Sequence, residues 1–209
     1  MPHLSTRFWL LAAIAISLMI FVAAWSIGGL DYSRDVALIH SFAAQRAEHV
    51  WLTKFAILIT RLGDAATLMT ILGLVVAWLA YARRWRLAIS LAGIVIGGRI
   101  AVELMKLAIQ RERPFFTPYP VDTVSLSFPS GHAGNSMITF LALALIAAPP
   151  RYRGSAAAAA IVTSIAVGST RPLLGVHWPT DVIGGWTFGI AWVLIGAELS
   201  RRWIAAAKQ

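Results

Sequence analysis

Cysteine is absent from the 209 residues. That removes disulfides, thiolate nucleophiles and cysteine-bound metals from consideration, without fixing a compartment. Charge is scarce too: Asp, Glu, Lys and Arg make up 13% of the chain, where an ordinary soluble domain carries roughly 25%. The acidic residues are fewest, nine against eighteen Lys and Arg. No grouping of acidic residues and histidines has metal-ligand spacing, so neither a metal nor another cofactor is expected. There is no internal repeat, and the one low-complexity tract, Ala156–Ala160, reads as helix. What is present instead is apolar sequence, 58% of the chain.

The apolar residues gather into runs of about twenty, each long enough to cross roughly 30 Å of hydrocarbon as a helix. They cover about Phe8 to Ile27, Ala65 to Tyr81, Leu87 to Leu107, Phe128 to Ala147, Ser155 to Leu174 and Val182 to Leu199. The first is longer than the core of a secretory signal and is read as a span. The expected architecture is all-α: one polytopic membrane domain over residues 1–209, six transmembrane helices, and an interfacial helical segment between the first two. That segment, Asp31 to Asp64, has mixed polarity, with Leu38, Ile39, Phe42 and Ala43 at helical spacing.

Six spans put both termini on one side. That side then holds Arg7, Arg83, Arg84, Arg86, Arg151, Arg153, Arg201, Arg202 and Lys208 against Glu198 alone. The remaining nine basic residues are nearly balanced by eight acidic ones. The bias places the termini and the connectors Ala82–Arg86 and Ala148–Arg153 in the cytoplasm. The net charge of +9 is therefore a topology signal; the apolar runs leave no soluble basic face for nucleic acid.

Three polar clusters lie at the outer ends of spans. The first is Lys106 to Pro114. A helix continuing to Pro114 would put Lys106 and Arg113 on one face, about 10 Å apart. A basic helix end snorkelling to the interface is the alternative. Deeper in that span, Arg99 and Glu103 read as structural ions holding Lys106. The second cluster is Phe128-Pro129-Ser130-Gly131-His132. Pro129 near the first helical position, free N–H groups, the Ser130 hydroxyl and a close backbone approach at Gly131 make an anion site; Ser130 as a plain helix cap is the alternative. In the third, Arg171 to Asp181, Pro179 opens the last span. Asp181 either complements the helix dipole or holds one nitrogen of His177, four residues earlier, as a nucleophile or base requires. Phe115, Phe116, Tyr119 and Trp178, at the same depth, read as interfacial anchors.

Lys106…Arg113-Pro114, Pro129-Ser130-Gly131-His132 and Thr170-Arg171…His177…Asp181 together resemble the three-part signature of the type 2 phosphatidic acid phosphatase superfamily. Ten specified positions agree in order, and the likeness covers a motif-bearing core of about residues 65–203. Thr170 stands where the family usually has serine, and keeps the hydroxyl. The resemblance implies a metal-independent lipid phosphate phosphatase. In it Lys106, Arg113, Ser130, Gly131 and Arg171 bind the phosphate, His177 attacks phosphorus to give a phosphohistidine, Asp181 orients His177, and His132 protonates the leaving oxygen and later activates water. Size and charge bias point to a bacterial inner membrane, and the span count with that bias puts the site on the periplasmic side.

The expected partners are a lipid phosphate and membrane lipids, and nothing signals an oligomeric state. Phosphatidic acid, phosphatidylglycerol phosphate, undecaprenyl diphosphate and lipid A phosphates all fit as substrates. Two other readings are a vanadate site like that of vanadium-dependent haloperoxidases, which are soluble or peripheral, and a non-enzymatic transporter or lipid-binding protein. Gly184, Gly185 and Gly189 could suit the latter, although Gly185 and Gly189 have the spacing of close helix packing.

Overall fold

The computed structural model describes residues 6–30, 33–116, 119–123 and 125–206, and among these it is helical with no strand. Eight α-helices follow one another: α1 (Thr6–Leu30), α2 (Ser33–Glu48), α3 (Val50–Thr60), α4 (Ala65–Tyr81), α5 (Trp85–Ile109), α6 (Gly131–Ala142), α7 (Arg153–Leu173) and α8 (Pro179–Ala206). A 3-10 turn, Arg61–Gly63, joins α3 to α4, and a π turn, Leu143–Ala147, prolongs α6. Asp31 and Lys208, counted above, lie outside the described residues.

Four helices, α1, α5, α7 with its preceding turn, and α8, are long and apolar enough to cross a membrane. A fifth candidate is α3 with α4, bent by 40° at their junction. Two of the six expected spans fall below that length: α4 coincides with its run, Ala65–Tyr81, at 17 residues, and the fourth run is shortened to the apolar stretch Gly131–Ala147. The expected interfacial segment holds two helices, α2 and the more apolar α3.

Helix α6 sits between α5, α7 and α8, and Ala133 to Thr139 are all buried. Its small residues allow this. A Cβ at Gly185 of α8 would lie 2.8 Å from the Ser130 carbonyl oxygen, and one at Gly189 would lie 2.9 Å from the Met137 Cβ. These glycines let α8 close onto α6, which is the packing role their spacing suggests. Leu72, Leu79, Leu91, Val95, Val102, Ile138 and Val193 fill the layer below. Large apolar side chains such as Leu74, Leu104, Val162 and Leu199 face outward, as suits a surface solvated by hydrocarbon.

The first cluster departs from the expected helix. α5 ends at Ile109, where Gln110 takes a left-handed conformation (φ 54°) and its N–H donates to the Lys106 carbonyl, a C-terminal cap that turns the chain away. Lys106 is therefore on the last helical turn and Arg113 on the following loop. Glu103 pairs with Lys106 at 3.2 Å, whereas no ion pair joins it to Arg99 among the described residues. Pro129 precedes the N-cap, Ser130, rather than opening α6. Pro179 does open α8, with Asp181 in its first turn.

Candidate active site

One end of the bundle collects all eight of the expected site residues. Lys106 comes from the end of α5, Arg113 from the loop beyond it, Ser130, Gly131 and His132 from the start of α6, Arg171 from the last turn of α7, His177 from the α7–α8 connection, and Asp181 from the start of α8. Lys106, Ser130, Arg171, His177 and Asp181 are buried.

The loop after α5 curls so that Ser125 receives two cations. Lys106 Nζ donates to Ser125 Oγ at 2.9 Å, and Arg113 Nε donates to the Ser125 carbonyl at 2.6 Å. Arg113 Nη1 also reaches His177 Nε2 at 3.0 Å. A Cβ on Gly131 would come within 3.2 Å of Lys106 Nζ, so any larger residue there would crowd the ammonium. The Ser130 hydroxyl makes no capping bond, and its buried Oγ has no hydrogen-bond partner among the described residues. The capping explanation for this serine therefore fails. Arg171 Nη1 donates to Thr60 Oγ1 at 2.8 Å, while its buried Nε has no partner among the described residues. Arg113, Arg171 and Lys106 all lie near enough to act on His177.

The His177 ring is held at Nδ1, 3.3 Å from Asp181 Oδ2. Asp181 is fully buried and saturated with donors: Ser127 Oγ at 2.5 Å and the Trp178 N–H at 2.9 Å on Oδ2, and Arg111 Nη1 at 2.6 Å on Oδ1. A carboxylate so satisfied fixes the tautomer with the proton on Nδ1 and the lone pair on Nε2. Burial first, then the positive charges of Arg113, Arg171 and Lys106, push His177 well below the usual histidine range. It is neutral near pH 7, as a nucleophile must be. Burial also lowers Arg113, opposed by the nearby Asp181 charge.

Several participants carry no signal in the sequence. Arg111 lies two residues before Arg113 and bridges Asp181 to Asp35 of α2, its Nη2 being 2.9 Å from Asp35 Oδ2. Asp35 in turn accepts from the Thr180 N–H at 3.2 Å and the Thr180 hydroxyl at 2.5 Å. Asp64, at the start of α4, places Oδ1 3.0 Å from His132 Nε2. Ser125, Ser127 and Thr60 are equally isolated in sequence. Arg111 and Thr180 stood inside recognised clusters, where their polar character was visible and their partner Asp35 was not. Trp178 is not an interfacial anchor: it is buried, donates from Nε1 to the Glu112 carbonyl, and lies under the Arg111 guanidinium. Phe115 is exposed, and Tyr119 donates from its hydroxyl to the Pro114 carbonyl.

Residues 85–205 match the family model of the PAP2 superfamily. The chain is similar to a lipid A 1-phosphatase of Rhizobium etli, 32% identical over 186 residues that cover 85% of this chain and 76% of that protein. It is also similar to phosphatidylglycerophosphatase B of Bacillus subtilis, 31% identical over 74% of this chain and 83% of the other. Among solved structures it resembles the crystal structure of a transmembrane PAP2 type phosphatidylglycerolphosphate phosphatase from Bacillus subtilis. The TM-score is 0.82 at 25% identity, over 90% of this chain and 96% of that one.

Proposed function

The chain belongs to the PAP2 superfamily, and on that footing we propose that it is a multi-pass membrane phosphatase that hydrolyses a lipid phosphate through a phosphohistidine on His177. The observation that carries this reading is the His177 environment. Nδ1 is held by a fully bonded carboxylate, and Nε2 is presented to Arg113, with Lys106 and Arg171 close by.

A phosphate ester resists attack because its anionic oxygens repel the nucleophile, so charge neutralisation and alignment do most of the work. Lys106, Arg113, Arg171, the Ser130 hydroxyl and the Gly131 N–H at the head of α6 bind the phosphoryl oxygens. Ser130 Oγ and Arg171 Nε, both buried without partners, gain them in doing so. Arg113 shifts from His177 Nε2 onto the phosphate, which frees the lone pair. Nε2 then forms a bond to phosphorus as the bond to the leaving oxygen breaks, and His132 gives that oxygen a proton. In the second half His132 takes a proton from water, the water oxygen bonds to phosphorus, and the His177 N–P bond breaks to release phosphate. Asp181 stays ionised and offsets the charge on His177 throughout.

The substrate class is a phosphate carried by a lipid, the feature shared by the names of the similar proteins. Helices α1 and α4 to α8 supply six spans. The 17 residues of α4 rise about 25 Å, the short end of what a span uses, and local thinning of the bilayer absorbs the deficit. The whole chain acts as one membrane domain, with α2 and α3 at the outer interface. The arginine-rich connectors set both termini in the cytoplasm and the site at the outer face of a bacterial inner membrane.

The test is phosphate release by purified protein in detergent from phosphatidic acid, phosphatidylglycerol phosphate, undecaprenyl diphosphate and a lipid A phosphate, with and without EDTA, together with an alkaline quench for phosphohistidine. Release that survives EDTA and a phosphorylated His177 are expected. No release from any of the four overturns the proposal.

A further inference from the structure

The pair formed by Asp64 and His132 lies half outside the family signature. Residues 85–205 match the family model, yet the carboxylate that meets His132 comes from residue 64. Its placement is built, not incidental. Asp64 occupies the N-cap position of α4 but makes no capping bond with its side chain; the carboxylate turns to His132 Nε2 at 3.0 Å instead. The preceding turn fits tightly beneath α6 and α7. A Cβ at Gly63 would stand 2.5 Å from Val167 Cγ1 and 3.0 Å from the His132 ring. With no room for a side chain at Gly63, the backbone holds Asp64 beside the imidazole.

Electrostatics gives the contact a purpose. Burial first, and then the charges of Arg171 and Lys106, oppose a positive charge on the His132 ring, and the Asp64 contact works against them. The cations that bind phosphate therefore work against the proton that the leaving group needs. A carboxylate next to a phosphate site would in turn repel the substrate unless something positive stood between. Asp64 eases both conflicts: a proton taken up by His132 would leave Nε2–H on the carboxylate, at 3.0 Å, and Nδ1–H available to the departing oxygen. Asp64 is about half exposed (47%), so solvent screens part of the effect.

How much this matters depends on what leaves. A phosphate released from a diphosphate departs as a stable anion, without needing a proton. An alkoxide released from a phosphomonoester is strongly basic and needs one in the transition state. We propose that Asp64 is the positioning residue that keeps a proton on His132, giving the site two histidine–carboxylate pairs, His177–Asp181 for attack and His132–Asp64 for departure, and suiting it to lipid phosphomonoesters. Asp64 touches no reacting atom. As the P–O bond breaks, its electron pair goes to the alkoxy oxygen and the Nδ1 proton follows. In the second half Nδ1 recovers a proton from the attacking water, and Asp64 again faces a charged ring.

This inference rests on the phosphatase reading above, and its test separates the two. The readout is kcat/KM, which covers steps up to formation of the phosphoryl-enzyme. It is measured on dioctanoyl phosphatidic acid, with an alkoxide leaving group, and on 4-nitrophenyl phosphate, whose leaving group departs without a proton. Asp64→Asn is expected to lose about 10- to 100-fold on the first and less than about threefold on the second. Asp64→Glu is expected to recover part of the loss. Aryl phosphatase activity in the two Asp64 variants doubles as proof of folding. Equal losses on both esters, or no loss on phosphatidic acid, overturn the inference and leave the phosphatase standing. Wild-type protein that hydrolyses neither ester but releases phosphate from undecaprenyl diphosphate overturns the inference alone, and release from none of the four lipids overturns both.

Discussion

Arg111 is the residue whose removal the structure weighs most definitely. It is 7% exposed and lies between Asp35, 3% exposed, and Asp181, which is fully buried. The contacts are 2.9 Å and 2.6 Å respectively. Arg111→Gln leaves two buried carboxylates without their shared cation. Breaking a buried ion pair from one side costs about 3–5 kcal/mol, which for a chain of this size moves Tm by on the order of 10 °C. Turnover falls as well, because Asp181 loses one of the groups that hold it against His177. Ser127 and the Trp178 N–H remain, so the loss is expected near the lower end of the range for orienting partners, about 10²-fold. Asp35→Asn separates the two effects. It leaves the Arg111–Asp181 pair intact, costs about 1–3 kcal/mol through mismatched donors, and keeps most of the turnover. In the double variant the penalties are not additive, because Arg111→Gln strands only one carboxylate once Asp35 is neutral. Thermal unfolding in one detergent and phosphate release at saturating substrate give both quantities. Equal turnover loss in the two single variants, or an unchanged Tm in Arg111→Gln, would refute the reasoning.

Further outcomes follow from other contacts. His177→Ala is expected to abolish turnover and the trapped phosphoprotein together, and Asp181→Asn to cost about 10²–10⁴-fold; residual phosphorylation in His177→Ala would exclude the covalent route. Ser130→Ala removes a buried hydroxyl that has no partner, so Tm is expected to hold or rise while kcat falls about 10²–10³-fold, as when one oxyanion donor is lost; a matching loss of stability would mark Ser130 as structural. His177 is neutral when folded but takes up a proton near pH 6.5 when unfolded. Its contribution is therefore full above that pH and lost as pH falls, and Tm between pH 8 and 5 is expected to decline less in His177→Gln than in wild type; equal declines would refute this. Reporters fused at Arg84 and Asp122 are expected to report cytoplasm and exterior respectively; a cytoplasmic Asp122 would move the site to the inner leaflet.

The residues that carry motifs were legible because their spacing is chemical. His177 and Asp181 lie one helical turn apart at the head of a span, and Ser130-Gly131-His132 opens another. The position of Arg113 was misread because the C-terminus of α5 is set by Gln110 in a left-handed conformation. Glycine is the usual residue there, so no local signal marked the stop. Asp35, Thr60, Asp64, Ser125 and Ser127 were silent for a different reason. Each is a single polar residue whose partner is distant in sequence, from 12 residues for Arg113 and Ser125 to 111 for Thr60 and Arg171, and only packing joins them. Burial misled at Trp178 too, since an aromatic residue near a span end reads alike whether it faces lipid or sits beneath a guanidinium. The span count suffered from the same limit: apolar runs give the extent of hydrophobic sequence, while the late start of α6 at Gly131 and the π turn after it shorten the regular helix inside the fourth run.

Polar residues before position 85 reach across to the signature, among them Asp35 to Arg111, Thr60 to Arg171 and Asp64 to His132. The motif-bearing segment is therefore not a transplantable cassette. A chimera that joined residues 85–205 to the amino-terminal part of a relative would retain every signature residue. It would still have to supply a carboxylate, a hydroxyl and a second carboxylate at the right three points. Where a donor lacks them, the graft inherits the recognisable sequence while its arginines and its acid histidine sit unmatched. Swaps within the superfamily are thus constrained by these crossing contacts more than by similarity across the signature itself.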